Sequence, residues 1–474
     1  MKEIKEKTNT KQMGNDDKRF LGTEPVGRLL FRLALPTLAA QVINMLYNVV
    51  DRMYIGHIPV EGALALTGVG VCMPIIMIVS AFAALVSSGG APRAAIFMGS
   101  GDYETAEKTL GNCFVLQIIV SAVLTLLLLL FNRPLLLLFG ASENTIGYAT
   151  GYMNIYAVGT IFVQLTLGMN SFITTQGFAK TGMLSVLLGA VTNIVLDPVF
   201  IFGMGMGVRG AAIATVLSQG ISCAWVLLFL CGKKTFLKIR AKNFRLVPGI
   251  ILPSVALGTA TFIMQASESV ISVCFNSSLL QYGGDIAVGA MTILTSVMQF
   301  ALLPMQGLGQ GAQPILSYNY GAGNSGRVKE AFRLLLFVSL GYSLLLWACI
   351  MLFPQGFAAM FSSDPALMDF TKTALRIYCA VLGLFGIQMA CQMTFTSIGN
   401  AKASILVAVT RKFILLLPFI YLMPHLFRAN QTMAVYLAEP AADVLAITFT
   451  AVLFRSEFKK ALAKITLDNS AKRE

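Results

Sequence analysis

The sequence predicts an all-α integral membrane protein whose twelve transmembrane helices form two parallel-repeat six-helix lobes, with both termini in the cytoplasm. Three observations carry that expectation. Of 474 residues, 56% are hydrophobic and 12% charged, with a mean hydropathy of +0.74, whereas soluble domains carry roughly 25% charge. Apolar runs of about twenty residues or more recur between positions 29 and 456, each long enough to cross a hydrocarbon core of roughly 30 Å as a helix. The second half then repeats the first at an offset of 222. Gly89, Pro92, Gly99 and Gly101 return as Gly311, Pro314, Gly321 and Gly323, and Phe131, Phe139, Tyr156, Gly177, Ala179 and Lys180 return as Phe353, Phe361, Tyr378, Gly399, Ala401 and Lys402. With six spans per copy, an even number, both lobes enter the bilayer from the same side, related by an axis along the membrane normal. Repeats of this kind in a polytopic protein point to a transporter with a central site.

In chain order, a polar tail (1–28) precedes spans near 29–55, 63–91, 109–132, 146–175, 181–203 and 208–231, which make the N-lobe (29–232). A basic linker (233–247) leads to spans near 248–277, 287–316, 330–353, 366–396, 403–424 and 431–455, the C-lobe (248–456), and a second tail (457–474) follows. Glycines, prolines and charged clusters punctuate the runs. Pro36 falls inside the first span, where it removes a backbone hydrogen bond and can kink the helix. Gly99-Ser100-Gly101-Asp102 and Gly321-Ala322-Gly323-Asn324 read as cytoplasmic turns, with Asp102 and Asn324 placed to cap short helices leading into spans three and nine. Neither follows a strand or ends in Lys-Ser/Thr, and no nucleotide-binding motif occurs elsewhere, so ATP is not the expected energy source.

The formal charge of +13 follows topology rather than a nucleic-acid partner. Bases gather in the first tail (Lys2, Lys5, Lys7, Lys11, Lys18, Arg19), in the linker (Lys233, Lys234, Lys238, Arg240, Lys242, Arg245) and in loops on the same side, which the positive-inside rule assigns to the cytoplasm. The first 28 residues are too polar for a signal peptide, so the first span is expected to be retained. All eight cysteines sit in or at the ends of spans without a C-x-x-C pair, which suits buried small hydrophobes. His57 and His425 lie far apart, leaving no material for a metal site or a histidine-based catalytic centre, and an enzyme is not expected.

An ionised side chain at the bilayer centre costs roughly 2.5–3.5 kcal/mol and is a functional-site hypothesis by default. Span one carries Gln41, Asn44, Asn48 and Asp51 at spacings of three, four and three, one face of a helix. In span five Asn193 and Asp197 are four apart. Both aspartates fall in the outer half of the bilayer, where two carboxylates can share a proton. Together with an amide and a hydroxyl they can equally supply the oxygen shell of a hard cation such as sodium; the residues leave both open.

Leu35-Pro36, Asp51-Arg52-Met53-Tyr54-Ile55-Gly56, Gln176-Gly177, Asn193-Ile194-Val195-Leu196-Asp197-Pro198 and the run Gly207 to Thr215 resemble the multidrug and toxic compound extrusion (MATE) family over nearly the whole chain. The run Ala438 to Asp443 is similar to the MepA-like bacterial branch. The resemblance implies a cation-driven drug exporter of the bacterial cell membrane. It implies that Asp51, Tyr152, Asn170, Asn193, Asp197 and Thr215 form an N-lobe cation site, and that helix one bends at Pro36 on protonation. Where some members carry an acid in span ten, this chain has Ile387-Gln388.

In the C-lobe, Glu268 shares a face of span seven with Gln265 and Ser272 and is a candidate substrate or proton site, or else the partner of a base such as Arg411. Glu439 and Asp443, four apart in span twelve, are a second acidic candidate. Arg411 and Lys412 are expected to snorkel toward the cytoplasm, since the apolar run after them is nearly span-length. Gln299, Gln306, Gln310 and Gln313 line one face of span eight, and Met291, Met298 and Met305 recur every seven residues, a pattern suited to a soft ligand surface or to packing between helices. The expected function is therefore cation-coupled (H+ or Na+) antiport of amphipathic cationic or aromatic drugs by a monomer, with no cofactor beyond the coupling ion. A lipid-linked saccharide flippase is the nearest alternative and would need inward-facing bases, of which the first lobe offers almost none. A passive channel is another, distinguished by flux without a gradient.

Overall fold

The computed structural model describes residues 19–361 and 364–471, so the tail lysines Lys2, Lys5, Lys7, Lys11 and Lys18 lie outside the described residues. The described residues are almost entirely helical. We label the long helices α1 (Val26–Gly56), α2 (Gly62–Gly99), α3 (Tyr103–Leu138), α4 (Ile146–Thr175), α5 (Ala179–Pro198) and α6 (Gly207–Cys231). Pro248–Gly321 is one helical run of 74 residues broken by non-helical angles at Gly284, and its two parts are α7 and α8. Then come α9 (Ser325–Leu352), α10 (Pro365–Tyr378 with Leu382–Ser397, bent by 44°), α11 (Ala401–Leu426) and α12 (Gln431–Ala471). Dividing the long run at Gly284 and taking the bent pair as one span gives the expected twelve.

The spans differ from expectation chiefly at their ends. No loop separates spans seven and eight, because the start of α12 holds the corner: Thr432 donates to the Tyr282 carbonyl at 2.6 Å and the Tyr436 hydroxyl to that of Ala287 at 2.6 Å. No separate short helices precede spans three and nine. Asp102 accepts from the Thr105 amide at 3.0 Å and caps α3 directly, whereas the Asn324 side chain makes no such bond. Intrahelical hydrogen bonds persist beyond the apolar stretch, so α2 and α12 run on to Gly99 and Ala471.

The repeat is written into backbone geometry. Gly101 and Gly323 both take left-handed φ (86° and 75°), as do Gly177 and Gly399 (90° and 78°), which only glycine adopts cheaply. It also builds the contact between the halves. A Cβ on Gly99 would strike the Tyr318 carbonyl and one on Gly321 the Ile96 carbonyl, two contacts that exchange under the 222-residue offset. Gly89 and Gly258 meet α7 and α2 backbone in the same way, while Gly311 and Gly307 meet α1 at Ala34 and Leu38. Such reciprocity is the mark of a two-fold interface.

These contacts lie at the end of the bundle that holds residues 19–25 and the end of α12. There a shared apolar core joins the halves, including Leu21, Leu33, Met98, Ile315 and Tyr318. Toward the other end each half keeps its own core, around Ile55, Val69, Met153 and Ile201 in one and Phe275, Leu294, Leu375 and Tyr436 in the other. The bundle is therefore sealed at the terminal end, and the halves part toward the opposite end.

Candidate functional site

Helix α1 crosses the boundary between the sealed and parted regions. Next to Pro36, Thr37 donates to the Gly307 carbonyl at 2.6 Å, and one turn further Gln41 donates to the Gln310 side-chain oxygen at 3.3 Å. Beyond that level α1 packs against α5. Asn48 turns back on its own helix, donating to the Asn44 carbonyl at 2.6 Å. Asp51 instead points across to Asp197, and the two carboxyl groups come within hydrogen-bonding reach. Asn193 donates to Asp197 Oδ1 at 3.3 Å. Tyr152 of α4 lies near Thr215 of α6 and Asp51, its ring stacked on Tyr156 at 6.3 Å.

Five of the six residues assigned to the N-half by resemblance thus converge: Asp51, Tyr152, Asn193, Asp197 and Thr215. Asn170 does not join them. Its amide donates to the Gly182 carbonyl at 3.3 Å, fifteen residues before Asp197 on α5, or roughly 22 Å of helical rise. Tyr47 joins instead, lying near both aspartates. Its position four residues before Asp51 was the available signal. Asp51, Asn193 and Asp197 are at most 6% exposed, and Asp51 Oδ1, Asp197 Oδ2 and Asn193 Oδ1 are buried without a hydrogen-bond partner among the described residues. Buried oxygens without donors are costly unless a proton or cation satisfies them. Directly after Asp197, Pro198 leads into a π-helical turn at Val199–Gly203, a distortion that often accompanies functional sites.

The C-half holds a different arrangement and corrects the expectation for Arg411 and Lys412. Neither snorkels. Both are buried on a π-helical stretch of α11 (Thr410–Leu416), within reach of three acids on neighbouring helices. Arg411 donates to Asp443 at 2.8 Å and to Glu439 at 3.0 Å, and its guanidinium lies 4.8 Å from the Phe385 ring centroid. Lys412 pairs with Glu268. Lys412 is 4% exposed and Glu268 48%, so that pair presents its acid outward. Gln265 shares this exposed side, while Gln299 and Gln306 are exposed on α8. The methionines Met291 and Met305 are core residues, and Met298 packs against Cys379. Most cysteines are buried, but Cys231 is exposed.

A two-fold membrane bundle sealed at one end, with polar groups buried in each half, is the architecture of a secondary transporter. A family model described as MatE matches residues 36–199 and again 260–422, one match per half and about two thirds of the chain in all. The chain belongs to the MATE family of membrane transporters and is a multi-pass protein of a bacterial membrane. It is similar to a FAD transporter of Shewanella oneidensis, 26% identical over 413 residues that cover 85% of this chain and 89% of that one. It is also similar to the multidrug export protein MepA of Staphylococcus haemolyticus, 21% identical over 400 residues covering 84% and 87%. Among solved structures, an outward-facing multidrug resistance MATE family transporter superposes with a TM-score of 0.85 at 24% identity, covering 94% of this chain and 98% of that one.

Proposed function

We propose that this chain is a cation-coupled antiporter that exports amphipathic, cationic or aromatic drugs by alternating access, as a monomer driven by inward flow of H+ or Na+. The observation that carries the reading is the facing pair Asp51 and Asp197, buried with unpartnered oxygens and without an ion pair among the described residues, the nearby Arg52 being exposed. A proton shared by the two carboxyls, or a sodium ion held by Asp51, Asp197, the Asn193 amide oxygen and the Thr215 hydroxyl, satisfies that site. If the positive-inside reading sets the sealed end in the cytoplasm, the parted end opens to the exterior, the side from which the driving cation enters. Coupling requires only that cation and drug bind the two conformations with different affinity. Pro36, at the level where α1 leaves α8, is where the helix would bend as Asp51 changes charge.

The flippase alternative loses ground because Arg411 and Lys412, the bases inside the C-half, are each neutralised by carboxylates and so offer little to a pyrophosphate. The test is ethidium movement in proteoliposomes under separately imposed proton and sodium gradients. Uphill transport driven by one gradient and abolished by Asp51→Asn or Asp197→Asn, with folding intact, is expected. Flux that persists without a gradient would instead assign a channel, and full coupled export by both variants would remove the two aspartates from the coupling site.

A further inference from the structure

A cavity of about 1050 Å³ opens at the terminal face of the N-half, away from the two polar clusters. Its walls are the start of α3, the α4–α5 turn, Arg32 of α1 and the linker between the halves. Six bases and three acids line it. Each acid is already engaged: Glu24 with Arg32 at 2.9 Å, Glu107 with Arg240 at 3.2 Å and Glu104 with Lys108 at 2.9 Å. Lys233, Lys234, Lys238 and Lys242 have no ion pair among the described residues. Four uncompensated positive charges therefore share one concave surface.

A basic loop on this face is what topology alone demands, but topology does not demand that the loop be folded. The linker is held in place. Gln176 Oε1 accepts from the Thr235 hydroxyl at 2.9 Å and from the Phe236 and Leu237 amides at 2.8 Å each, Asn112 accepts from the Val247 amide at 2.7 Å, and Leu237 is fully buried. The lysines project from this fixed loop. The floor is aromatic, with Phe178 and Phe236 rings 4.9 Å apart. Beside the cavity, Phe244, Leu246 and Val247 expose apolar side chains, 41–46% accessible, where the linker re-enters the membrane at Pro248.

From this geometry we infer that the cavity binds a phosphate-bearing anion, and that the exposed apolar residues at its edge assign that anion to the headgroup of an anionic phospholipid. Lysines on a fixed loop supply the charge at headgroup level, while Phe244, Leu246 and Val247 meet the acyl region beneath it. The inference requires only the membrane fold and is independent of which ion or drug is carried.

The test is native mass spectrometry of the full chain with phosphatidylglycerol, with phosphatidylcholine, or with phosphatidylglycerol plus millimolar inorganic phosphate. Retention of phosphatidylglycerol over phosphatidylcholine by at least about ten-fold is expected, given the usual attraction of each surface lysine to anionic lipid. Combined Lys233→Gln, Lys234→Gln, Lys238→Gln and Lys242→Gln should abolish the preference, and the same four positions changed to Arg should keep it. Four lysines elsewhere on this face, Lys180, Lys402, Lys459 and Lys464, changed to Gln together serve as the equal-charge control. Loss of the preference in that control assigns it to bulk charge and overturns the site. Absence of any preference overturns it too, and displacement of the lipid by inorganic phosphate overturns the lipid as its source.

Discussion

Replacing Arg411 by Met removes the one base that faces both Glu439 and Asp443, at 3.0 and 2.8 Å, and the cation stacked on Phe385. Methionine fills much of the volume, so the cost is electrostatic rather than a cavity. Breaking a buried ion pair by removing one partner costs about 3–5 kcal/mol, because the other charge stays buried without compensation. Melting entropy of about 2.1 cal/mol/K per residue gives the 474-residue chain about 1 kcal/mol/K. The expected loss is then about 3–5 °C in melting temperature. The same substitution made together with Glu439→Gln and Asp443→Asn should recover most of that loss, since a neutral cluster of similar shape carries no stranded charge. Thermal unfolding of the purified protein in detergent, followed by size-exclusion chromatography, reads both effects. A single variant that melts with the wild type, or a triple variant no more stable than the single, would refute the assignment of these carboxylates as Arg411's partners.

Tyr47→Phe keeps the ring but deletes the hydroxyl beside Asp51 and Asp197. It should raise the half-saturating concentration of the driving cation by about 2–10-fold, the worth of one hydrogen bond, with maximal transport unchanged; an unchanged half-saturation would exclude Tyr47 from the site. Gly321→Ala places a Cβ on the Ile96 carbonyl, whereas Gly341→Ala meets nothing within 4 Å. Overpacking the sealed end by about 1–3 kcal/mol should raise the labelling rate of an Ala34→Cys reporter by about 5-fold or more. Equal labelling in the Gly321 and Gly341 variants would count against the glycine contacts as the seal.

Much of this was legible because the decisive signals are local. Apolar length locates a span, and glycine spacing survives in both halves because the same backbone approach is needed twice. Asp51, Asn193 and Asp197 could be read from i,i+4 spacing. Glu439 and Asp443 also announced one helical face, but spacing does not say which helix faces it. The long apolar run after Arg411 favoured snorkelling over the pairing that the fold provides. Asn170 shows the converse limit: it sits on the right helix, but eighteen residues from Tyr152, roughly 27 Å of rise. The gap between the spans expected near 248–277 and 287–316 implies a loop, although Gly284 with φ 64° only redirects a continuous run. Tyr47 is not legible in the sequence, because an aromatic in an apolar span ordinarily reads as packing.

The repeat also shows where the two halves have parted company. Under the 222-residue offset the interface glycines keep their identity, Gly89 as Gly311 and Gly99 as Gly321, but the polar clusters differ: two buried acids in the N-half, three acids and two bases in the C-half. A symmetric scaffold therefore carries asymmetric chemistry. In the N-half two buried acids face each other without an ion pair among the described residues, Arg52 beside them being exposed, so a change in proton or cation occupancy alters the net charge buried between α1 and α5. In the C-half three acids meet two bases, so each base is paired and a single carboxylate charge is in excess, against two facing carboxylates in the N-half. A charge that is compensated within its own half gives an entering cation less to act on than one that is not. That difference, rather than any single residue, is the argument for seeking ion coupling in the N-half.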